Sequence, residues 1–257
     1  MRTPGASCRV RSATPCGIQR PARRVQEPLR DSLSQPEKCA AGDIAETEKL
    51  CAGLVMSGFA MQAMDSSRPA SGTEHQVSHY LDMEGLCYNG KHVSHGFKVG
   101  IGTLVSTASL EFLLKQDVCG VDTDALVAAW PTWEQMESNI RTLFAGKPGH
   151  LARALAESRD KYVDAEGLRK QIGALKAAWP VLREQIAAQI IPFKQVYNNL
   201  KAVGAPYKSE MICVTREHLI QTFDYIPYMR SRFTNVDAIF RLGLLPQLKE
   251  YLFTKVF

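Results

Sequence analysis

What most limits the fold of this chain is a train of helix-start signals across residues 43–253 with no strand pattern between them. Asp43 and Glu46 have capping-box spacing, and Leu50, Cys51, Leu54, Val55 and Phe59 follow at helical intervals. Asp122, Thr132, Thr215 and Thr234 head further runs, and Trp133, Met136, Ile140 and Leu143 fall on one face. Helices are expected over 149–162, 165–190 and 192–202, with Pro180 and Pro192 kinking or dividing them. Thr215 should cap a helix through Met229 and Thr234 one through Leu242, with a last amphipathic segment ending near Phe253. No apolar–polar alternation marks a half-buried strand, and no internal repeat occurs. The expected class is all-α.

Charge and cysteine content narrow the function classes. The net charge is +5. Residues 1–38 account for all of it, since seven Arg and Lys38 there face only Glu27, Asp31 and Glu37. Residues 39–257 are close to neutral, so no nucleic-acid partner is expected. Five prolines among Arg, Ser and Gln leave 1–38 without hydrophobic periodicity. That segment reads as disordered, as a transit-peptide mimic, or as the artefact of a truncated or frame-shifted gene start, the last being preferred. The helical domain is then 39–257. Seven cysteines without a CxxC predict no disulfide framework and a reducing compartment, with several acting as small hydrophobes in apolar runs. No run of membrane-spanning length and no apolar core after Met1 stand out, so a cytoplasmic protein without a membrane span is expected.

The chemistry concentrates in residues 57–102, which hold four of the six histidines. His75 and His79 lie one turn apart on a helix face, and His95 precedes Gly96 at the head of the next helix. Asp65 through Pro69 should break the preceding helix, and Pro69 suits the first turn of the one carrying His75. Ser66, Ser67 and Arg68 would then stand at a helix N-terminus, where anions bind, although simple Ser capping has the same signature. With Lys98, they are the residue types that hold a phosphate. Imidazoles beside anion-binding groups point to a metal site for a charged substrate. The alternative is a solvated helix face with incidental histidines. Gln76 stands where the HExxH protease motif needs Glu. Gly58 is read as a point of close helix contact, Met61 and Met64 as core, His92 as an exposed loop residue, and 157–161 as a solvated charged face.

The segments SGFAMQAMDSSRPASGTEHQVSHYLDMEG, SHGFKVGIGTLVSTASLEFL and VGAPYKSEMICVTREHL, and the ending RSRFTNVDAIFRLGLL, resemble the sn-glycerol-1-phosphate dehydrogenases. These belong with the iron-containing alcohol dehydrogenases, glycerol dehydrogenase and dehydroquinate synthase. The resemblance runs from about Asp43 onward. It implies the helical C-terminal domain of a dehydroquinate synthase-like fold, without the N-terminal α/β domain that carries the nicotinamide nucleotide. It further implies that His75 and His95 are ligands of a divalent metal (zinc, nickel or iron). His79 would be a proton-relay residue or a hydrogen-bonded core histidine. Ser66, Ser67, Arg68 and Lys98 would hold the substrate phosphate. The family's third ligand, an Asp, lies upstream of the matched region, and Asp43 is better read as a helix cap. The implied reaction interconverts dihydroxyacetone phosphate and sn-glycerol 1-phosphate with NAD(P), in glycerophospholipid synthesis. No NAD(P) site is found in this sequence. A non-catalytic helical metal-binding or interaction fragment is the alternative, and SSRPASG argues against a dehydroquinate-synthase-like lyase. Expected partners are a small phosphorylated substrate, a second copy of the chain through exposed apolar surface, or a complementing nucleotide-domain chain.

Overall fold

The computed structural model describes residues 19–88 and 90–256. The chain forms two compact units, one reaching to Ala70 and the other starting at Ser71.

The first unit contains α1 (Gln19–Ser32), α2 (Pro36–Ala40), α3 (Ile44–Ala63) and a 3-10 turn, Arg68–Ala70. Residues 1–18 lie outside the described residues; from Gln19 the backbone is helical, in a stretch where composition alone predicts no element. Asp43 caps α3 by accepting the Glu46 N–H at 3.0 Å, but the Glu46 carboxylate turns to Lys49 (3.0 Å) rather than closing the box. Gly53 lies against Ser32 of α1. Gly58 does not mark a helix contact: a Cβ there would meet nothing within 4 Å. Met64 is exposed and Met61 half-buried, so neither is a core residue; Leu54, Val55 and Phe59 are exposed with them.

The second unit begins with α4 (Thr73–Met83) and a two-residue hairpin, β1 (Cys87–Tyr88) and β2 (Lys91–His92), with Cys87 opposite His92. It continues through α5 (His95–Leu114), α6 (Thr123–Ala128), α7 (Trp133–Leu143), α8 (Pro148–Lys161) and α9 (Ala165–Gln189). After α10 (Phe193–Ala202) come α11 (Arg216–Tyr225), a 3-10 turn (Ile226–Tyr228), α12 (Asn235–Arg241) and α13 (Leu245–Tyr251), closed by a π turn, Leu252–Val256. The class is all-α. The hairpin is its one departure among the described residues, formed where a plain loop is expected, with Gly85 and Gly90 at positive φ (66° and 74°).

The expected caps hold because each is a local bond. Asp122 and Thr215 accept backbone N–H groups three residues on, Thr132 does so within a full capping box, and Thr234 pairs with Asp237. The core gathers around α5. Its Ile101, Leu104, Val105 and Ala108 are fully buried with Val77 and Leu81 of α4, Leu219 and Phe223 of α11, and Val236 and Ile239 of α12. By length and apolarity α5 could cross a bilayer, which the sequence reading overlooks; 56% of its most apolar window is buried inside the unit, as in a core helix.

Three other expectations change. α9 runs on through Pro180, so the proline does not divide it. Proline leaves the carbonyl four residues earlier, that of Lys176, without its helical donor, and the Cys119 thiol reaches that oxygen at 3.7 Å. The 157–161 stretch is not a wholly solvated face: Lys161 is nearly buried and pairs with Asp237 at 2.5 Å, and Glu157 accepts the Ser231 N–H at 2.6 Å. The described cysteines are free, but Cys51, Cys87, Cys119 and Cys213 are exposed rather than packed in the core.

Candidate metal and substrate site

His75 and His79 occupy one face of α4 because they are spaced by one helical turn. His95 arrives from the head of α5, which Ser94 caps by accepting the Phe97 N–H at 3.2 Å. The two helices approach closely at Gly102, where a Cβ would overlap the Glu74 carbonyl. This close crossing brings the three imidazoles together. Ring centroids are 6.3 Å apart for His75–His79, 5.6 Å for His75–His95 and 6.1 Å for His79–His95. The cluster opens to solvent on the α5 side, with the His95 side chain 53% exposed against 23% for His75.

Each ring presents Nδ1 to oxygen. His75 Nδ1 lies 2.8 Å from Glu74 Oε1; His95 Nδ1 lies 3.1 Å from Ser78 Oγ and 3.3 Å from Asp82 Oδ2. His79 Nδ1 stands 4.0 Å from the same Asp82 oxygen. Carboxylates on Nδ1 fix ring orientation and leave Nε2 for a ligand, the usual arrangement around a metal-binding imidazole. As a donor set the cluster fits zinc, nickel or iron. It is not closed: among the described residues no group of three or more His, Cys, Asp or Glu is drawn in tightly enough to hold an ion. An ion shared by these rings would need them to converge further.

Asp82, which the sequence reading passes over, is the hub. Its Oδ1 pairs with the Lys98 ammonium, a buried group, and its Oδ2 meets His95. Desolvation favours the neutral acid, but the hydrogen bonds and charges of Lys98 and His95 outweigh it and hold Asp82 below the ordinary carboxylate range. His75, His79 and Asp82 follow one helical stripe, so spacing could have revealed it. Lys98 is brought to the cluster, but as the partner of Asp82.

His79 is shifted down from the usual histidine value, first by burial and then by the positive charges of Arg230 and Arg153, with Asp82 opposing. These arginines also escape the sequence reading, because nothing local ties residues 153 and 230 to residue 79. Ser66, Ser67 and Arg68 belong to the first unit, whereas the histidines and Lys98 belong to the second. The α-helix N-terminus expected at 66–68 forms instead at Gly72, whose N–H is taken by the Glu74 carboxylate at 2.6 Å. Ser66 Oγ accepts the Arg68 N–H at 3.2 Å in a short turn, and Arg68 is exposed.

No family model matches the chain, and no solved structure does. Curated relatives do. The chain is 27% identical over 229 residues to a glycerol-1-phosphate dehydrogenase (NAD(P)+) of Bacillus licheniformis, covering 88% of this chain and 43% of that protein. Proteins of the same name are 31% identical over 140 residues in Archaeoglobus fulgidus (52% of this chain, 34% of that protein) and 43% identical over 75 residues in Geobacillus thermodenitrificans (29% and 19%). The chain spans less than half the length of these relatives.

Proposed function

We infer that this chain, a relative of the glycerol-1-phosphate dehydrogenases, supplies the metal-binding and substrate-binding half of a metal-dependent, NAD(P)-linked oxidoreductase acting on dihydroxyacetone phosphate and sn-glycerol 1-phosphate. The observation that carries this reading is the convergence of His75, His79 and His95, each Nδ1 facing an oxygen. His75 and His95 are the ligands and His79 the proton carrier. Ser66, Ser67 and Arg68 remain candidates for the phosphate on the strength of the sequence resemblance, as does Lys98, although its ammonium already serves Asp82.

A divalent ion bound there would polarise the substrate carbonyl and, in the other direction, acidify the C2 hydroxyl. His75 is oriented by Glu74, and His95 by Asp82 and Ser78, which would leave the Nε2 of each for a shared ligand. His79, with its lowered pKa, stays neutral near pH 7 and can take a proton from a hydroxyl beside it. The one sheet among the described residues is the two-residue hairpin, which does not fit a nicotinamide dinucleotide. On this reading the chain's residues serve the metal and the substrate, and no hydride step is assigned to them.

A second reading, a non-catalytic metal-binding fragment, is favoured by the second unit having its own buried core around α5. Titration of the full chain with zinc and with nickel tests both. One equivalent should bind, and His75→Ala or His95→Ala should weaken it at least about tenfold. Equal affinity in wild type and both variants would remove the site. Oxidation of NADH with dihydroxyacetone phosphate by the metal-loaded chain then separates the two readings.

A further inference from the structure

A phosphorylated substrate at the histidine cluster needs a cation within reach, and Lys98 is committed to Asp82. The segment after the 3-10 turn Ile226–Tyr228 brings others. Residues on both sides of Arg230 are pinned. The Tyr228 carbonyl accepts from Ser158 Oγ of α8 at 3.4 Å, and the Ser231 N–H donates to Glu157 of α8 at 2.6 Å. The Arg232 carbonyl accepts from Gln76 Nε2 at 3.4 Å, and Gln76 is the residue after His75. Thr234 Oγ1 meets Gln76 Oε1 at 3.1 Å, and Thr73 Oγ1 donates to Asn235 Oδ1 at 2.5 Å. The segment is thus fastened along α4 and to α8.

Arg230 is held at this seam and acts electrostatically on His79 together with Arg153. It is half-buried, and it makes no hydrogen bond or ion pair among the described residues. Of its neighbours, Arg232 is engaged, its Nη1 donating to the Ser71 carbonyl at 2.5 Å, whereas Arg153 is only loosely paired, its Nε 3.7 Å from Glu157. A half-buried guanidinium without a counter-charge is costly unless an anion completes it. A planar fork of donors matches the oxygens of a phosphate better than a lysine does.

We propose that Arg230, assisted by Arg153, binds the phosphate of a small phosphomonoester whose reacting carbon lies at the histidine cluster. This rests on the metal-and-substrate reading of the three histidines and names the residues that would make the site select phosphorylated over neutral polyols.

The test is calorimetric titration of the full chain with sn-glycerol 1-phosphate, with inorganic phosphate and with glycerol, alongside a separate zinc titration. Arg230→Met should weaken both phosphates by about tenfold or more, while zinc affinity stays unchanged. Arg230→Lys should recover part of the loss, and Arg153→Gln should cost a smaller factor in the same direction. Phosphate affinity unchanged in Arg230→Met, or wild type that binds neither phosphate, would overturn the proposal. Should Arg230→Met lose its helical circular dichroism, Arg230→Lys and Arg153→Gln decide, and two folded variants with wild-type phosphate affinity would equally overturn it. Zinc affinity unaltered by His75→Ala strikes instead at the histidine reading, which keeps the two failures apart.

Discussion

Gly102 of α5 lies so close to Glu74 of α4 that a side chain at residue 102 would overlap the Glu74 carbonyl. Glu74 also holds His75, so the crossing sets both the packing of the two helices and the position of one imidazole. Gly102→Ala should therefore destabilise the protein by about 1–3 kcal/mol, the range for overpacking a tight core. It should also weaken zinc binding, because α4 and α5 must separate. A melting curve and a zinc titration read the two effects. A variant with the wild-type melting temperature would mean that the crossing is looser than described.

Asp82→Asn keeps the shape of the hub and removes its charge. The buried Lys98 ammonium then loses its counter-charge, which should cost about 1–3 kcal/mol, the lower range because Asp82 is partly open to water. Asp82 titrates below the ordinary carboxylate range, so its contribution is complete above about pH 4. That contribution fades as pH falls through the depressed value. Urea midpoints near pH 6 and near pH 3 should differ more for wild type than for Asp82→Asn. Equal differences would show that the Asp82–Lys98 pair does not supply the acid sensitivity.

The parts of this architecture that a single helix turn can encode were legible in the sequence. Asp122, Thr132 and Thr215 announce their helices because the capping bond spans three residues. His75 and His79 share a face for the same local reason, and Asp82 was equally visible on that stripe. Tertiary facts were not. Gly58 and Gly102 are both mid-helix glycines, yet one faces open space and the other a neighbouring backbone, and nothing within either helix distinguishes them. Arg153 acts on His79 electrostatically from α8, and Arg230 from the segment that Gln76 and Glu157 fasten, both more than seventy positions away in sequence. That Pro180 would not divide α9 was equally hidden, since the thiol that meets the open Lys176 carbonyl comes from Cys119, remote in sequence.

His79 offers a direct electrostatic reading. Its depressed pKa means that the folded state prefers the neutral ring. The matching stability is present above the unfolded value, about 6.5, and is lost as pH falls through the folded value. In an NMR titration its ring proton should show a midpoint below 6.5. Arg230→Met should raise that midpoint but not restore it fully, since burial is the larger cause. A midpoint insensitive to Arg230 would place the guanidinium farther away.

Lys161 and Asp237 form a nearly buried pair at 2.5 Å, and Asp237 also accepts the Thr234 N–H at 2.8 Å at the head of α12. Burial lowers the Lys161 pKa despite the opposing charge of Asp237. Asp237→Ala should cost about 3–5 kcal/mol by stranding the ammonium and opening the capping box. Lys161→Met with Asp237→Asn should cost less than the two single changes added together, because no buried charge is left alone. A double-mutant cycle in urea measures the difference; additive costs would mean that the pair contributes nothing jointly.

Pro180 sets two opposing effects against each other. An interior helix proline costs about 3 kcal/mol through the lost backbone bond and ring crowding. It also restricts the unfolded chain, which is worth up to about 1 kcal/mol in the opposite direction. Pro180 is exposed, so replacing its ring disturbs little packing, and the Lys176 carbonyl, deprived of its usual i+4 donor, meets the weak thiol donor of Cys119. The balance favours substitution: Pro180→Ala should stabilise the protein by about 1–2 kcal/mol. Cys119→Ala should cost more in wild type than in the Pro180→Ala background, where an amide N–H serves the same oxygen. Thermal melts of the four proteins measure both effects. A destabilised Pro180→Ala would show that the backbone shape imposed by this proline is needed for α9 to pack.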